Sequence, residues 1–170
     1  LNRVVQWCDD GIRYEADQRH ADIIVRAMGL SQESRTLGVP GEKQRPGETE
    51  EEDEELQRGE ASNYRRLVAR CVYISQDRSD ISYAVKELGR SMAKPTNSDL
   101  RNLKRLARYL IDKKRYVTLY EYQGPVNSIT VWSDSDWAGC ISKRRSTTGG
   151  VIMMGKHPMK HCASQQGLIA

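Results

Sequence analysis

The sequence predicts a mixed α+β (α/β) chain in three parts: an N-terminal β-hairpin, a helical bundle and a C-terminal antiparallel meander of three strands. Three observations carry this reading. Asp9-Asp10-Gly11 is a strong turn signal between two short alternating stretches. Apolar residues then recur at a 3.6-residue period in three successive stretches between Tyr64 and Leu110. After Arg115 the period changes to two, with glycine-bearing breaks between the runs.

Taken in order, Arg3-Val4-Val5-Gln6-Trp7 reads as a strand and Ile12-Arg13-Tyr14-Glu15 as its return. A helix follows from Asp17, a fitting N-cap, with Ile23, Ile24, Ala27 and Met28 on one face and Gly29 at the left-handed C-terminal position. Residues 31–60 break the pattern. Pro40, Gly41, Pro46 and Gly47 lead into an acidic run from Glu48 to Glu55, too polar to offset its ordering entropy, so a mobile loop is expected.

Tyr64, Leu67, Val68, Cys71 and Val72 mark the first bundle helix. Ile81, Ala84, Val85, Leu88 and Met92 mark a second, opening near Ser79-Asp80 and closed by Pro95. Leu100, Leu103, Leu106, Ala107 and Leu110 mark a third, starting at Asn97 or Ser98. Strands are expected over Val117–Tyr122, Ile129–Asp134, Thr148–Met154 and Met159–Ala163, with a turn at Gly155-Lys156.

Composition narrows the function classes. Hydrophobic residues make up 38% and charged residues 29% of the 170, which suits a globular chain with an aliphatic core, since Phe is absent. No apolar run approaches the roughly 18 residues that span a bilayer. The start, Leu1-Asn2-Arg3-Val4-Val5, lacks both an initiator Met and a signal-peptide pattern, which reads as a fragment or processed product outside the secretory route. Cys8, Cys71, Cys140 and Cys162 form no CxxC pair, so neither a structural zinc nor a disulfide scaffold is indicated.

The net charge of +4 is mild, but base is concentrated from Arg101 to Arg115 and at Lys143-Arg144-Arg145. Arg101, Lys104, Arg105 and Arg108 fall on the polar face of the third bundle helix. Such a stripe suits a phosphate backbone, although from charge alone a solvated helix face is the plainer and favoured reading. Asp9-Asp10 is read as turn chemistry rather than as paired catalytic carboxylates. His157 and His161 would share a strand face, but spacing places no third metal ligand beside them.

The sharpest signal is Trp132-Ser133-Asp134-Ser135-Asp136-Trp137-Ala138-Gly139, followed by Arg145-Ser146-Thr147-Thr148-Gly149. An acid ending a buried strand can ligate a hard cation such as Mg²⁺, and two-metal phosphodiester chemistry needs several such acids together, but from the residues alone Asp134 and Asp136 read as turn acids. These two blocks resemble the SDADWAG and RKSTSG wording that opens the RNase H domain of copia-type LTR retrotransposon Pol polyproteins. Tyr64-Arg65-Arg66-Leu67-Val68 is similar to that family's Y-R-x-L-V-G block, and Arg78-Ser79-Asp80-Ile81-Ser82-Tyr83-Ala84-Val85 to R-P-D-I-x-Y-A-V. Leu106-Ala107-Arg108-Tyr109-Leu110 is similar to I-L-R-Y-L. Gly11-Ile12, Glu15 to His20 and Val39-Pro40-Gly41 fit the segment after the polymerase palm.

The resemblance covers nearly the whole chain, in the family's order. It implies a reverse transcriptase thumb and connection segment over 1–123 and the first strands of RNase H over 124–170. It further implies Asp134 as a catalytic Mg²⁺ ligand, the metal being a cofactor of the intact enzyme only. Arg101, Lys104, Arg105, Arg108, Lys143 and Arg144 become nucleic-acid contacts. The implied partners are a template–primer or RNA–DNA hybrid and the rest of the polyprotein, with no membrane, in a cytoplasmic virus-like particle or the nucleus. One acid of a four-acid site implies no cleavage by this piece alone. Ser79 in place of Pro, His161-Cys162 in place of Trp-Ser, and the acidic insertion depart from the pattern and point to a diverged or decaying copy. The alternatives are a domesticated nucleic-acid-binding module or an inert retroelement relic.

Overall fold

The computed structural model describes residues 3–42, 53–140 and 144–169. The chain divides into two compact units: Ala16–Tyr116, and Leu1–Glu15 together with Val117–Ala170.

The first unit is the bundle: α1 (Gln18–Ala27), α2 (Arg58–Ser75), a 3₁₀ turn at Ser79–Ile81, α3 (Ser82–Arg90) and α4 (Asn97–Asp112). Its core forms where the apolar stripes meet. Ile24, Tyr64, Leu67, Val68, Cys71, Ile81, Leu103, Leu106 and Ala107 are sealed from solvent. The helix ends follow capping chemistry. The Asp17 carboxylate accepts from the Arg19 amide at 3.0 Å, and the Arg19 guanidinium beside it holds that carboxyl down at about 2. Gly29 takes the left-handed conformation expected of it, at φ +68°. Thr96 and Asp99 exchange side-chain-to-backbone bonds in a capping box, which sets the start of α4 one residue earlier than Ser98 alone would.

Four expectations need adjustment here. On α1, Ile23 and Ala27 are exposed, and Ala21 and Val25 join Ile24 in the core instead. Val72 is exposed and Ile74 takes its place in the core, because the buried stripe drifts around an 18-residue helix. α3 ends at Arg90, well before Pro95, yet Met92 still packs on the core. The loop expected over 31–60 is too wide. Leu56 is buried, its amide donates to the Pro95 carbonyl at 2.8 Å, and Asn97 donates to the Glu54 carbonyl at 3.1 Å. One apolar side chain with a place in the core is enough to order the approach to α2. Residues 48–52 of the acidic run lie outside the described residues.

The second unit holds two three-stranded antiparallel sheets. One is β1 (Val4–Cys8), β2 (Gly11–Glu15) and β3 (Val117–Glu121), in that order. Asp9 and Asp10 form the turn as read, with Cys8 paired to Gly11. Gly11 has a further reason to be glycine: at φ +155°, an added Cβ would press into the Tyr120 carbonyl oxygen of β3. The other sheet is the expected meander, β4 (Ile129–Ser135), β5 (Arg145–Met154) and β6 (His157–Ile169), with the last two strands longer than read. Among the described residues, no helix is long and apolar enough to cross a membrane.

The two sheets meet within this unit around Gln123. Its Nε2 donates to the Met154 carbonyl at 3.1 Å, and its Oε1 accepts from the Lys156 amide at 3.0 Å. His157 Nε2 lies 2.7 Å from the Glu121 carbonyl, which can only accept, so the ring proton sits on Nε2 and Nδ1 accepts from Gln123 at 3.0 Å. Both nitrogens are committed. A bulge between β5 and β6 pairs Met153 with Pro158 but Ile152 with Lys160, leaving Met159 extra. That slip sends His157 and His161 to opposite faces, correcting the expectation that they share one.

Candidate nucleic-acid and metal-binding residues

Asp134 sits near the end of β4, opposite Gly149, which in turn faces Ala163. Strand alternation puts it on the same face as Trp132 and Thr130. The strand is not buried as the metal reading supposed. Every residue of β4 is exposed, Val131 and Trp132 at 63% and 66%, so among the described residues neither face of this strand is covered.

The second acid of the signature does a different job. Asp136 Oδ1 accepts from the Thr147 amide at 2.5 Å, while the Asp136 amide donates to the Thr147 carbonyl at 3.1 Å. The buried Ser146 hydroxyl accepts from the Ala138 amide at 3.1 Å, and the Cys140 amide reaches the Arg145 carbonyl at 3.0 Å. Ala138 and Arg144 both take φ of +49° to make the turn. At Gly139 a Cβ would collide with the Asp136 carboxylate. Aspartate, glycine and the Arg-Ser-Thr block are thus one interlocked β4–β5 loop, with Trp137 on it 82% exposed.

The described residues do not make a magnesium site by themselves. Asp136 spends an oxygen on its own loop, and among the described residues no group of three or more His, Cys, Asp or Glu side chains could hold a metal ion.

On α4, Arg101 and Lys104 are exposed, whereas Arg105 and Arg108 are half-buried rather than riding the outer surface. Arg105 pairs with Glu42 at 3.0 Å, and Arg101 stands 4.0 Å from Asp53. The Nε atoms of Arg105 and Arg108 are buried without a hydrogen-bond partner. Arg144 is exposed on the β4–β5 loop, and Lys143 lies outside the described residues.

Two networks escaped the sequence reading. Tyr64 donates to the Leu88 carbonyl at 2.8 Å, and Arg65 donates to the Met92 and Ala93 carbonyls at 2.6 and 3.0 Å. Together they tie α2 to the last turn of α3 and to the two residues, Met92 and Ala93, that follow it. Arg78, buried, binds Asp80 through Nε and Nη2 at 3.2 and 2.6 Å and reaches the Lys114 carbonyl at 3.3 Å. Tyr109 donates to the same Asp80 at 2.9 Å; burial first, then that bond, pushes its phenol up to about 12. The only signal for this was Arg-x-Asp ahead of an apolar helix. Cys71 is inert, its thiol raised to about 12 by burial.

Among curated proteins, the chain is similar to the retrovirus-related Pol polyproteins from transposons RE1 and RE2 of Arabidopsis thaliana. The identities are 35% and 33% over 105 residues, covering 62% of this chain and 7% of each polyprotein. It is also similar to an uncharacterized mitochondrial protein of the same plant, 36% identical over 109 residues, which is 64% of this chain and 45% of that protein. The chain spans less than half the length of these relatives. The resemblance to transposon Pol polyproteins drawn from the motifs is therefore matched by similarity over 105 residues, 62% of the chain. No family model matches the chain, and no solved structure matches it.

Proposed function

We propose that this chain is a segment of a copia-type retrotransposon Pol polyprotein, the thumb and connection part of a reverse transcriptase over 1–123 leading into RNase H over 124–170. The observation that carries this is the similarity to two transposon Pol polyproteins, together with the motif blocks that follow the family's order. The whole polyprotein would copy RNA and DNA templates into DNA and degrade RNA in hybrids. This segment's own contribution is to hold the nucleic-acid backbone: Arg101 and Lys104 from the exposed face of α4, Arg105 and Arg108 beside them, and Lys143 and Arg144 from the β4–β5 loop.

Asp134 is one Mg²⁺ ligand toward a site whose other acids belong to the remainder of the polyprotein. In this reading a single acid does not assemble a two-metal site, so cleavage depends on those other acids. The compartment in this reading is a cytoplasmic virus-like particle or the nucleus.

The test is fluorescence anisotropy with a labelled RNA–DNA hybrid across salt. Six phosphate contacts predict roughly a thousandfold loss of affinity between about 50 and 200 mM salt. Binding indifferent to salt would sink the backbone-contact reading. A second reading, a free-standing nucleic-acid-binding module, is favoured by the closed core of the Ala16–Tyr116 unit. A cooperative thermal transition of the full chain is expected under that reading, and a broad, non-cooperative melt would count against it.

A further inference from the structure

We propose that Glu42, Asp53 and Glu55 occupy the basic face around α4 in cis, as built-in competitors of a nucleic-acid backbone. The inference rests on the reading of α4 as a nucleic-acid face. Its grounds are four contacts converging from two separate stretches of chain. Asp53 takes the Ser98 amide in the first turn of α4 on both carboxylate oxygens, at 3.0 and 3.2 Å, and lies 4.0 Å from Arg101. Glu42 pairs with Arg105 at 3.0 Å, one turn further along the same helix. Glu55 pairs with Lys94, just ahead of the helix, at 3.4 Å.

A helix N-terminus with an arginine beside it favours any oxyanion, carboxylate or phosphate alike. Asp53 holds that position now. A phosphodiester backbone lying along α4 would need the Ser98 amide, Arg101 and Arg105, and each is engaged by one of the chain's own acids. Lys104, exposed on the same face, offers an incoming strand its first hold.

The plainer account is that these are ordinary surface pairs, individually worth little. The two accounts differ in what removing the acids does. If each of the three acids must be displaced before a phosphate can bind, about twofold per acid compounds to roughly five- to tenfold in affinity. If the acids only add to the general charge, their positions are immaterial.

The experiment compares three full-length proteins binding a fluorescent RNA–DNA hybrid at about 50 mM salt: the parent, Glu42→Gln/Asp53→Asn/Glu55→Gln, and Glu33→Gln/Glu60→Gln/Asp112→Asn. The last removes equal charge from acids that pair with none of Arg101, Arg105 or Lys94. The first triple is expected to bind about five- to tenfold tighter than the parent and the second less than about twofold tighter, the gap closing by about 200 mM. Equal gains in both, or no gain in either, overturn the competitor role while leaving nucleic-acid binding intact. If no protein binds, the nucleic-acid reading itself fails and this one falls with it. Should Asp53→Asn lower the melting temperature, the Glu42→Gln/Glu55→Gln pair carries the test, with about a threefold gain expected and none overturning it.

Discussion

The helical unit and the sheet unit use the same family-like motifs in opposite ways. In the bundle, the Tyr64-Arg65 and Arg78-Asp80 blocks are buried or half-buried, and their polar atoms are bound to backbone carbonyls and to each other. In the sheet, β4 lies open to solvent on both faces while the loop after it is locked by Asp136 and Ser146. A motif strong enough to carry a family resemblance is therefore a poor guide to which of its residues meet a ligand. Most of these residues hold the fold. Asp134, with neither burial nor a backbone bond to explain it, is left as the candidate for chemistry.

Mutations can break or sharpen that contrast. The largest effect is expected in the bundle. Leu106→Ala, at a sealed core position, should cost about 2–5 kcal/mol, whereas Val131→Ala on exposed β4 should stay within about 0.5 kcal/mol. Denaturant unfolding would check both, and equal losses would mean that β4 packs against something in solution. Next, Arg78→Ala should cost about 2–4 kcal/mol, because Asp80 would keep its charge with only Tyr109 to answer it.

The same network predicts a pH response. The folded pKa of Tyr109 lies above its ordinary value of 10, so its contribution is whole below pH 10 and is lost as pH rises toward about 12. Tyr109→Phe should flatten that alkaline limb of the stability curve. Tyr64, also raised by burial, would leave a residue of it.

The smallest effect separates the two acids of the signature. Asp136→Ala should destabilise by about 1–2 kcal/mol by removing the acceptor of the Thr147 amide, and Asp134→Ala should be near neutral in the same thermal melts. Matching losses would mean that Asp134, too, is a framework residue.

Local signals carried far in this sequence. The stripes of α2, α3 and α4, the cap at Asp17, the turn at Asp9-Asp10 and the period change after Arg115 are each written within a few residues of where they act. What escaped is non-local. The pairing of β2 with β3 joins Gly11 to Glu121, and nothing near either residue announces the other. Leu56 was lost in an acidic neighbourhood, although its place in the core is decided by Pro95 and the helices around it. The bulge that separates His157 from His161 depends on one unpaired Met159, which alternation alone does not reveal. The basic stripe was legible as charge, but its acidic partners at Glu42 and Asp53 were not, since they come from outside the helix.

The β2–β3 pairing also bears on how the unit of two sheets can hold together at all. Joining Gly11 to Glu121 closes a very long loop, and the entropy lost in closing a loop grows with the logarithm of its length. Two strands alone seldom repay it, since an isolated hairpin is marginal in water. Between those two strands, however, lies the entire Ala16–Tyr116 unit with its own core. Once that unit is folded, its ends are no longer the ends of a random coil, and most of the loop has already given up its freedom on behalf of the helices. The bundle thus serves the first sheet as a cross-link would, with packed side chains taking the place of a covalent bond.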